Sequence, residues 1–439
     1  MNIITLTPGA AGMYCGGCMR DNALTAALRR LGHDALQIPL YTPLTTDETD
    51  NSIEKIFFGG VNVYLQQNSR LSPLPAWIEK GLDSPGFLRF ATSFGVKTNP
   101  ALLGDMTISM LLGEDGKQAR EIDKLVDWLK ASCAPDVFCL SNALMTGAAK
   151  RLRAELNVPV VCTLQGEDYF LDHLPEKSRE QAWEILRGNA VHVDAFIGVS
   201  RYYAGVMAAR LKLPDSKIFA VPNGIDLSGY APAAKKPEKP AIVYLARMAP
   251  EKGLKVLVDA FKILRARKEH SELRLRIGGS LTANEKDFIR SIRRDLKTAG
   301  LLAHVDFLPN LDKAQKIALL QSGTVFSVPS TYGESFGLFV LESLACGVPV
   351  VQPRHAAFPE ILAETRGGIL CEPDDPVKLA EGLDSLLSDA KLAARLGAEG
   401  RKNVVEKFSV DRMARDVAEI LKAQAADFRM RNEKGSAAG

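Results

Sequence analysis

The stretch "VPSTYGESFGLFVLESLACGVPVV", Val328 to Val351, sets the architecture of this chain. A β-run ends in Pro-Ser, a glycine-containing turn follows, and a helix opens near Phe336–Leu338. Gly347 supplies a helix C-cap and Pro349 prevents continuation. The next apolar run, Val348–Val351, starts at once. Strand, helix and strand in such quick succession describe a parallel sheet covered by helices. The amides of Phe336, Gly337 and Leu338 fall at the helix N-terminus, where they lack intrahelical partners. Such a terminus suits an anion, most often a phosphate.

Outward from this stretch the same alternation fills the chain. Asn2–Thr7, Leu36–Leu40, Val137–Leu140, Val158–Thr163, Ala195–Val199 and Ile218–Val221 read as strands, with helical patterns over Asn22–Leu31, Gln118–Ala131 and Tyr203–Leu211. "LSGYAPAAKKPEKPA" (Leu227–Ala241) has no period and interrupts the alternation. Strands then resume at Ile242–Ala246, Leu273–Ile277, Val305–Leu308 and Val325–Val328. The expectation is two Rossmann-like, doubly wound α/β domains: residues 1–226 and 241–409, joined by a linker at 227–240. A helix over 410–425, free to cross back to the first domain, and a disordered tail at 426–439 complete the plan. Residues 66–115 read as an insertion in the first domain, either a binding loop or a passive excursion.

Composition narrows the function. The 439 residues carry 46% hydrophobic and 24% charged side chains and a net charge of +3, which singles out no nucleic-acid partner. No uninterrupted apolar span of about 20 residues offers a membrane crossing. The start, MNIITLTPG, reads as a strand rather than a signal peptide. Seven sparse cysteines suit a reducing cytoplasm better than a disulfide framework.

The chemistry concentrates in a few clusters. Glu334 and Glu342 lie eight residues apart. Eight residues of helix rise about 12 Å, more than the about 5–9.5 Å of a glycosidase carboxylate pair. They therefore suit different parts of one extended ligand, although Glu342 also reads as a solvated helix charge. In "YLARMAPEKGL", Arg247 follows a strand end and Lys252 precedes a helix. Strand carboxyl ends gather ligands in open α/β sheets. Two cations there suit a diphosphate, or are plain surface charge. "VPNGIDLSGY" and "RIGGS" (with Gly279) add a turn and a glycine-ended strand. Near the N-terminus, "GMYCGGCMRDNAL" (Gly12–Leu24) reads as a redox dithiol, half a metal site, or a glycine loop. No second C-x-x-C or paired His completes a metal site.

In their order these motifs resemble the retaining glycosyltransferases of family 4, which have the two-domain GT-B fold. The matches are "PNGID", "ARMAPEKG", "RIGGS", "PSTYGESFGLFVLE", "ACGVPVV" and "GGILCEPDDP"; "CGGCMRDNALTAALRRLGHD", "TLQGED" and "DAFIGVSRYY" extend them more thinly into the first half. The resemblance implies transfer of a sugar from a nucleoside diphosphate to a hydroxyl acceptor, with no metal. It implies that Arg247 and Lys252 neutralise the diphosphate. Glu334, with Ser335 and the amides of Phe336, Gly337 and Leu338, would hold the sugar and distal phosphate. Glu342 would take the ribose hydroxyls, and Gly16 and Gly17 would face the diphosphate from the first domain. The donor would bind mainly to the second domain and the acceptor to the first. A cytoplasmic location follows, with peripheral contact at the inner membrane face left open, as are donor, acceptor and oligomeric state.

Two departures stand out. Gln165 in "TLQGED" occupies a position where the family commonly has histidine, and glutamine cannot carry a proton as imidazole does. Ala356-Ala357 in "RHAAFPEIL" replaces a glycine-rich loop. His173, His355 and Glu360 are weaker site candidates. These departures keep two rivals in view: a sugar-nucleotide epimerase or phosphorylase on the same fold, and a non-catalytic module that binds a sugar nucleotide.

Overall fold

The computed structural model describes residues 1–9, 16–44, 46, 49–53, 100–235 and 237–437. The chain divides into two compact units: Met1–Pro222 with Asp411–Gly439, and Asn223–Val410.

The first unit is built on six parallel strands: β1 (Asn2–Thr7), β2 (Asp34–Pro39), β3 (Val137–Leu140), β4 (Val160–Leu164), β5 (Ala195–Gly198) and β6 (Ile218–Ala220). Their order across the sheet is β2-β1-β3-β4-β5-β6. Every residue of "VVCTL" in β4 and "AFIG" in β5 is buried. That is the mark of a parallel strand covered on both faces, and it explains why these runs lack apolar–polar alternation. Ile3 pairs with both Ala35 and Val137, so β1 sits where the strand order reverses. Such a switch point opens a crevice at the strand carboxyl ends.

Several sequence boundaries shift. The first helix spans Gly16–Arg30, so Gly16 and Gly17 form its opening turn rather than a preceding loop. The poor helix propensity of two glycines concealed the start. Cys18 is buried on this helix, within 3.8 Å of the Thr7 hydroxyl, while Cys15 lies outside the described residues. Of the expected insertion, residues 66–99 also lie outside them; Pro100–Leu111 is a helix and Gly113–Asp115 a short 3-10 turn.

The last helix runs Val410–Ala437, through most of the tail expected to be disordered. Its Val417, Leu421, Ala425 and Phe428 are buried and fall on one face at helical spacing. Arg429 pairs with Asp136 at 2.6 Å, Arg431 with Asp194 at 2.9 Å, and the Arg153 guanidinium lies 5.1 Å from the Phe428 ring. Asp136 and Asp194 sit just before β3 and β5, and Arg153 on the helix Ala149–Leu156, all far away in sequence, which is why local composition suggested a frayed end.

The second unit repeats the plan with β7 (Ala241–Leu245), β8 (Arg274–Gly279), β9 (Val305–Pro309), β10 (Val325–Phe326), β11 (Val350–Pro353) and β12 (Gly368–Cys371). The order β12-β11-β10-β7-β8-β9, all parallel, is that of a doubly wound nucleotide-binding sheet. Its switch point lies between β7 and β10, where Val325 pairs with Ile242 and Phe326 with Val243. The half-buried β12 was not anticipated. Nor is 227–240 a free linker. It belongs to the second unit, with Tyr230 buried and its carbonyl accepting from Arg401 at 3.1 Å.

Candidate active site

Three loops gather at the carboxyl ends of the central strands of the second unit. The one after β7 carries Arg247 to Gly253, the one after β10 carries Pro329 to Gly337, and the one after β11 carries Arg354 to Ala357. Gly253 has φ +71, and a Cβ there would lie 1.7 Å from the Pro329 carbonyl oxygen. Only glycine permits that approach. The Thr331 amide donates to the Glu251 carbonyl at 3.0 Å, zipping the first two loops together. The Ala357 amide reaches the Glu334 carbonyl at 3.3 Å, and His355 Nε2 lies 2.8 Å from the Ser330 carbonyl.

This stitching brings Lys252 against Glu334. Lys252 Nζ donates to Glu334 Oε2 at 2.7 Å and to the Tyr332 hydroxyl at 2.6 Å. Tyr332 and Ser330 hydroxyls donate to the same Oε2 at 3.2 and 3.3 Å. Burial, then the neighbouring Glu334 carboxylate, push the Tyr332 phenol up, so it stays a donor. All three donors converge on one carboxylate oxygen, and no described residue bonds the other.

Arg247 lies at the edge of this cluster, between Glu251 and Glu285, with Nη1 3.3 Å from Glu285. The Tyr244 hydroxyl fixes the turn by donating to the Arg247 carbonyl at 3.0 Å. Burial pushes the Glu285 carboxyl up, but the Thr282 hydroxyl and amide and the Arg247 charge outweigh it and hold the group below its ordinary range. A guanidinium has five N–H donors, so two carboxylates do not exhaust it. Gly279, with φ +135, ends β8 hard against the Ala246 carbonyl, 1.7 Å from where a Cβ would stand.

The helix expected near Phe336–Leu338 spans Leu338–Ala345, with Gly337 left-handed at its N-cap. Phe336 and Ser335 are buried just before it. Glu342 lies within the helix and is not a solvated charge. Its Oε1 accepts from the Tyr230 hydroxyl at 2.8 Å and from Lys316 Nζ at 2.7 Å. Burial and the Glu342 charge push the Tyr230 phenol up, keeping it protonated as a donor.

The second unit thus brings Arg247, Lys252 and Glu334 together and surrounds Glu342 separately. Sequence reading missed Tyr332, Ser330, Tyr230, Lys316 and Glu285. Tyr332 and Ser330 stood inside the quoted stretch, and Tyr230 closed "NGIDLSGY". Lys316 and Glu285 carried no local signal.

In the first unit Gly17 stands beside Gln165. A Cβ on Gly17 would lie 3.0 Å from Gln165 Oε1. Gln165 Nε2 donates to the Ser141 carbonyl at 2.7 Å and approaches Asp21 Oδ2 at 3.3 Å. Asp21 is buried and paired with Arg20 at 2.8 Å; burial pushes its carboxyl up against the pull of that arginine. Glu167 organises the "QGED" turn by accepting from the amides of Ala143, Gln165 and Gly166 at 2.9, 2.8 and 2.9 Å. His173 instead lies on the helix end, its Nδ1 2.7 Å from the Tyr169 carbonyl. Among the described residues no group of three His, Cys, Asp or Glu side chains could hold a metal, and no helix is long and apolar enough to cross a membrane.

Two parallel, doubly wound units with a cationic and acidic cluster at a switch point define a glycosyltransferase of the GT-B fold. Residues 231–403 match the family described as Glycosyl transferases group 1, and residues 111–228 match Glycosyltransferase Family 4. The chain belongs to the family 4 glycosyltransferases, enzymes that use nucleotide sugars. It is 28% identical over 295 residues to the GDP-mannose-dependent alpha-(1-6)-phosphatidylinositol monomannoside mannosyltransferase of Mycolicibacterium smegmatis, covering 64% of this chain and 73% of that one. The enzyme of the same description from Mycobacterium tuberculosis is 25% identical over 370 residues, covering 80% and 89%. The fold is similar to sucrose-phosphate synthase from Thermosynechococcus elongatus, with a TM-score of 0.70, 19% identity, and coverage of 97% and 100%.

Proposed function

We propose that the chain transfers a hexose from a nucleoside diphosphate sugar to a hydroxyl acceptor with retention of anomeric configuration and without a metal. The observation that carries this is the Lys252–Glu334–Tyr332 cluster at the β7/β10 switch point, with Arg247 at its edge and Glu342 on the following helix. Arg247 and Lys252 take the diphosphate. Charge grows on the phosphate oxygens as the sugar leaves, so fixed cations and the helix-opening amides of Phe336, Gly337 and Leu338 lower the barrier. The open oxygen of Glu334 takes a sugar hydroxyl, and the open oxygen of Glu342 takes the ribose. Gly16 and Gly17 leave room for the donor in the first unit.

Chemically, the C1–O bond to the diphosphate breaks and a C1–O bond to the acceptor forms on the same face. The acceptor hydroxyl proton passes to the leaving phosphate oxygen, so no protein base is needed. This accommodates glutamine at position 165. The mycobacterial relatives favour GDP-mannose as donor and an inositol-lipid mannoside as acceptor, used by an enzyme bound at a membrane surface.

The test is a hydrolysis and transfer screen over UDP-, GDP- and ADP-sugars, with and without EDTA, and with product configuration read by the anomeric proton coupling. The expectation is one preferred nucleotide, an α-linked product from an α-linked donor, and indifference to EDTA. Inverted product or a strict metal requirement overturns the mechanism. Binding without turnover of any donor overturns the activity.

A further inference from the structure

We propose that Glu285 is a positioning residue for Arg247: it anchors one terminal nitrogen of the guanidinium, so that the fork meets the diphosphate of a sugar nucleotide in one fixed orientation. This rests on the nucleotide-sugar reading and deepens it at one side chain.

The two residues are 38 positions apart and meet because two strand ends are locked together. β7 and β8 are parallel neighbours, with Leu245 opposite Gly278. Beyond the strands, the Met248 amide donates to the Ser280 carbonyl at 3.0 Å. Gly279 lets the Ala246 carbonyl come so close that no Cβ fits between them. The loop after β8 therefore runs beside the loop after β7 and delivers Thr282 and Glu285 to Arg247.

Glu285 is itself held still. It comes just before the helix Lys286–Thr298, and its side chain is 6% exposed against 44% for Arg247. Its Oε2 accepts from the Thr282 amide at 2.9 Å and from the Thr282 hydroxyl at 2.5 Å. Its Oε1 lies 3.3 Å from Arg247 Nη1. Glu251 takes Nη2, but it lies four residues on in Arg247's own loop and follows any movement of that loop. Glu285 ties the guanidinium to a different strand end. A planar fork held at both terminal nitrogens keeps its plane, and its further N–H groups meet an incoming anion at a set angle.

A carboxylate beside a cation weakens the pull of that cation on an anion. Glu285 therefore adds nothing to the attraction of the donor, and its contribution is orientation. A stabilising group misplaced by about 1 Å costs up to about a hundredfold in rate. The signature is a fall in kcat with KM level or lower. Glutamine cannot reproduce the anchor. Its single oxygen serves either Thr282 or Arg247, and the adjacent Thr282 donors take it. Its NH2 then faces the guanidinium, donor against donor. Two tests follow. First, the full chain carrying 15N-labelled arginine is examined by NMR, with the Arg247 signals assigned by their loss in Arg247→Gln. Two distinct Nη resonances, from hindered rotation about the Cζ–Nε bond, are expected, and Glu285→Gln merges them. Merged resonances in the unaltered protein overturn the anchor, whatever reaction the protein runs.

Second, nucleotide release from the preferred donor is measured in a double-mutant cycle. Glu285→Gln should lower kcat about tenfold or more and leave KM level or lower. In an Arg247→Gln protein the same change should alter kcat by less than about twofold, because no guanidinium remains to be placed. An equal fall in both backgrounds means that Glu285 only supports the fold, and overturns the proposal. Thr282→Val keeps both charges and loosens the anchor, so it should lower kcat in the same direction. An unchanged kcat there, beside a fall in Glu285→Gln, assigns the effect to charge and overturns positioning. Thermal melting of each variant excludes a loss of folded protein as the cause. Absence of turnover on every donor counts against the reaction itself, and the NMR test then decides the anchor alone.

Discussion

Replacing Lys252 by methionine separates what this side chain does for the fold from what it does for the reaction. Lys252 is 15% and Glu334 10% exposed, with 2.7 Å between the charged atoms. Removing one partner of a fully buried pair costs about 3–5 kcal/mol. Here Tyr332 and Ser330 still donate to the carboxylate, and some solvent reaches it, so about 1–3 kcal/mol is expected. For a unit of this size that lowers Tm by about 3–8 °C. The effect on turnover is separate. Losing one preorganised donor aimed at developing charge costs about a hundredfold to a thousandfold in kcat. Lys252→Met combined with Glu334→Gln removes the stranded charge, so the double variant regains most of the lost Tm. It does not regain turnover, because no cation has returned. The assays are thermal melting and nucleotide release from the preferred donor. Turnover of Lys252→Met within about threefold of the unaltered protein refutes the argument, as does recovery of turnover together with stability in the double variant.

Three further outcomes follow from the geometry. Tyr230→Phe deletes one donor to Glu342 and should raise the donor KM about threefold to tenfold with kcat nearly unchanged, as steady-state kinetics will read. Ala356 holds φ +55, a conformation that costs a residue with a Cβ about 1 kcal/mol; Ala356→Gly should leave activity intact and raise Tm by about 1–3 °C, net of its greater unfolded freedom. Burial pushes the Asp226 carboxyl up, but Ser228 and Lys313 outweigh it and hold the group below its ordinary range. Its folded value is thus below its unfolded one, so its contribution is full above the unfolded value and disappears as pH falls through the folded value. Urea midpoints measured from neutral pH down to about 2 should decline less steeply on the acid side in Asp226→Asn than in the unaltered protein.

The legible parts of the chain were those whose cause is local. "VVCTL" and "AFIG" announced buried parallel strands because every position is apolar or small. Val137–Leu140 was placed to the residue because polar turns flank it on both sides. Arg247, Lys252, Glu334 and Glu342 were visible because each sits at a fixed offset from a glycine turn or strand end. What distant packing decides was hidden. Lys316 reaches Glu342 from another helix, and Glu285 reaches Arg247 across 38 positions of sequence. Tyr230 looked like part of a linker because nothing near it reveals that its ring is buried in the second unit. The helix at Gly16 was hidden by two opening glycines of low helix propensity, and the last helix by anchors nearly 300 positions upstream, the Arg429–Asp136 pair being separated by 293.

That last helix makes the first unit discontinuous, with consequences for how the protein is made. On the ribosome, Asn223–Val410 is a continuous segment and can complete its sheet as it emerges. The first unit cannot. Its six strands are synthesised early and then wait, with the surface under Phe428 uncovered, until Asp411–Ala437 arrives. A nonsense codon near residue 410 would therefore leave Asn223–Val410 whole, and strip the apolar cover from strands made at the other end of the chain.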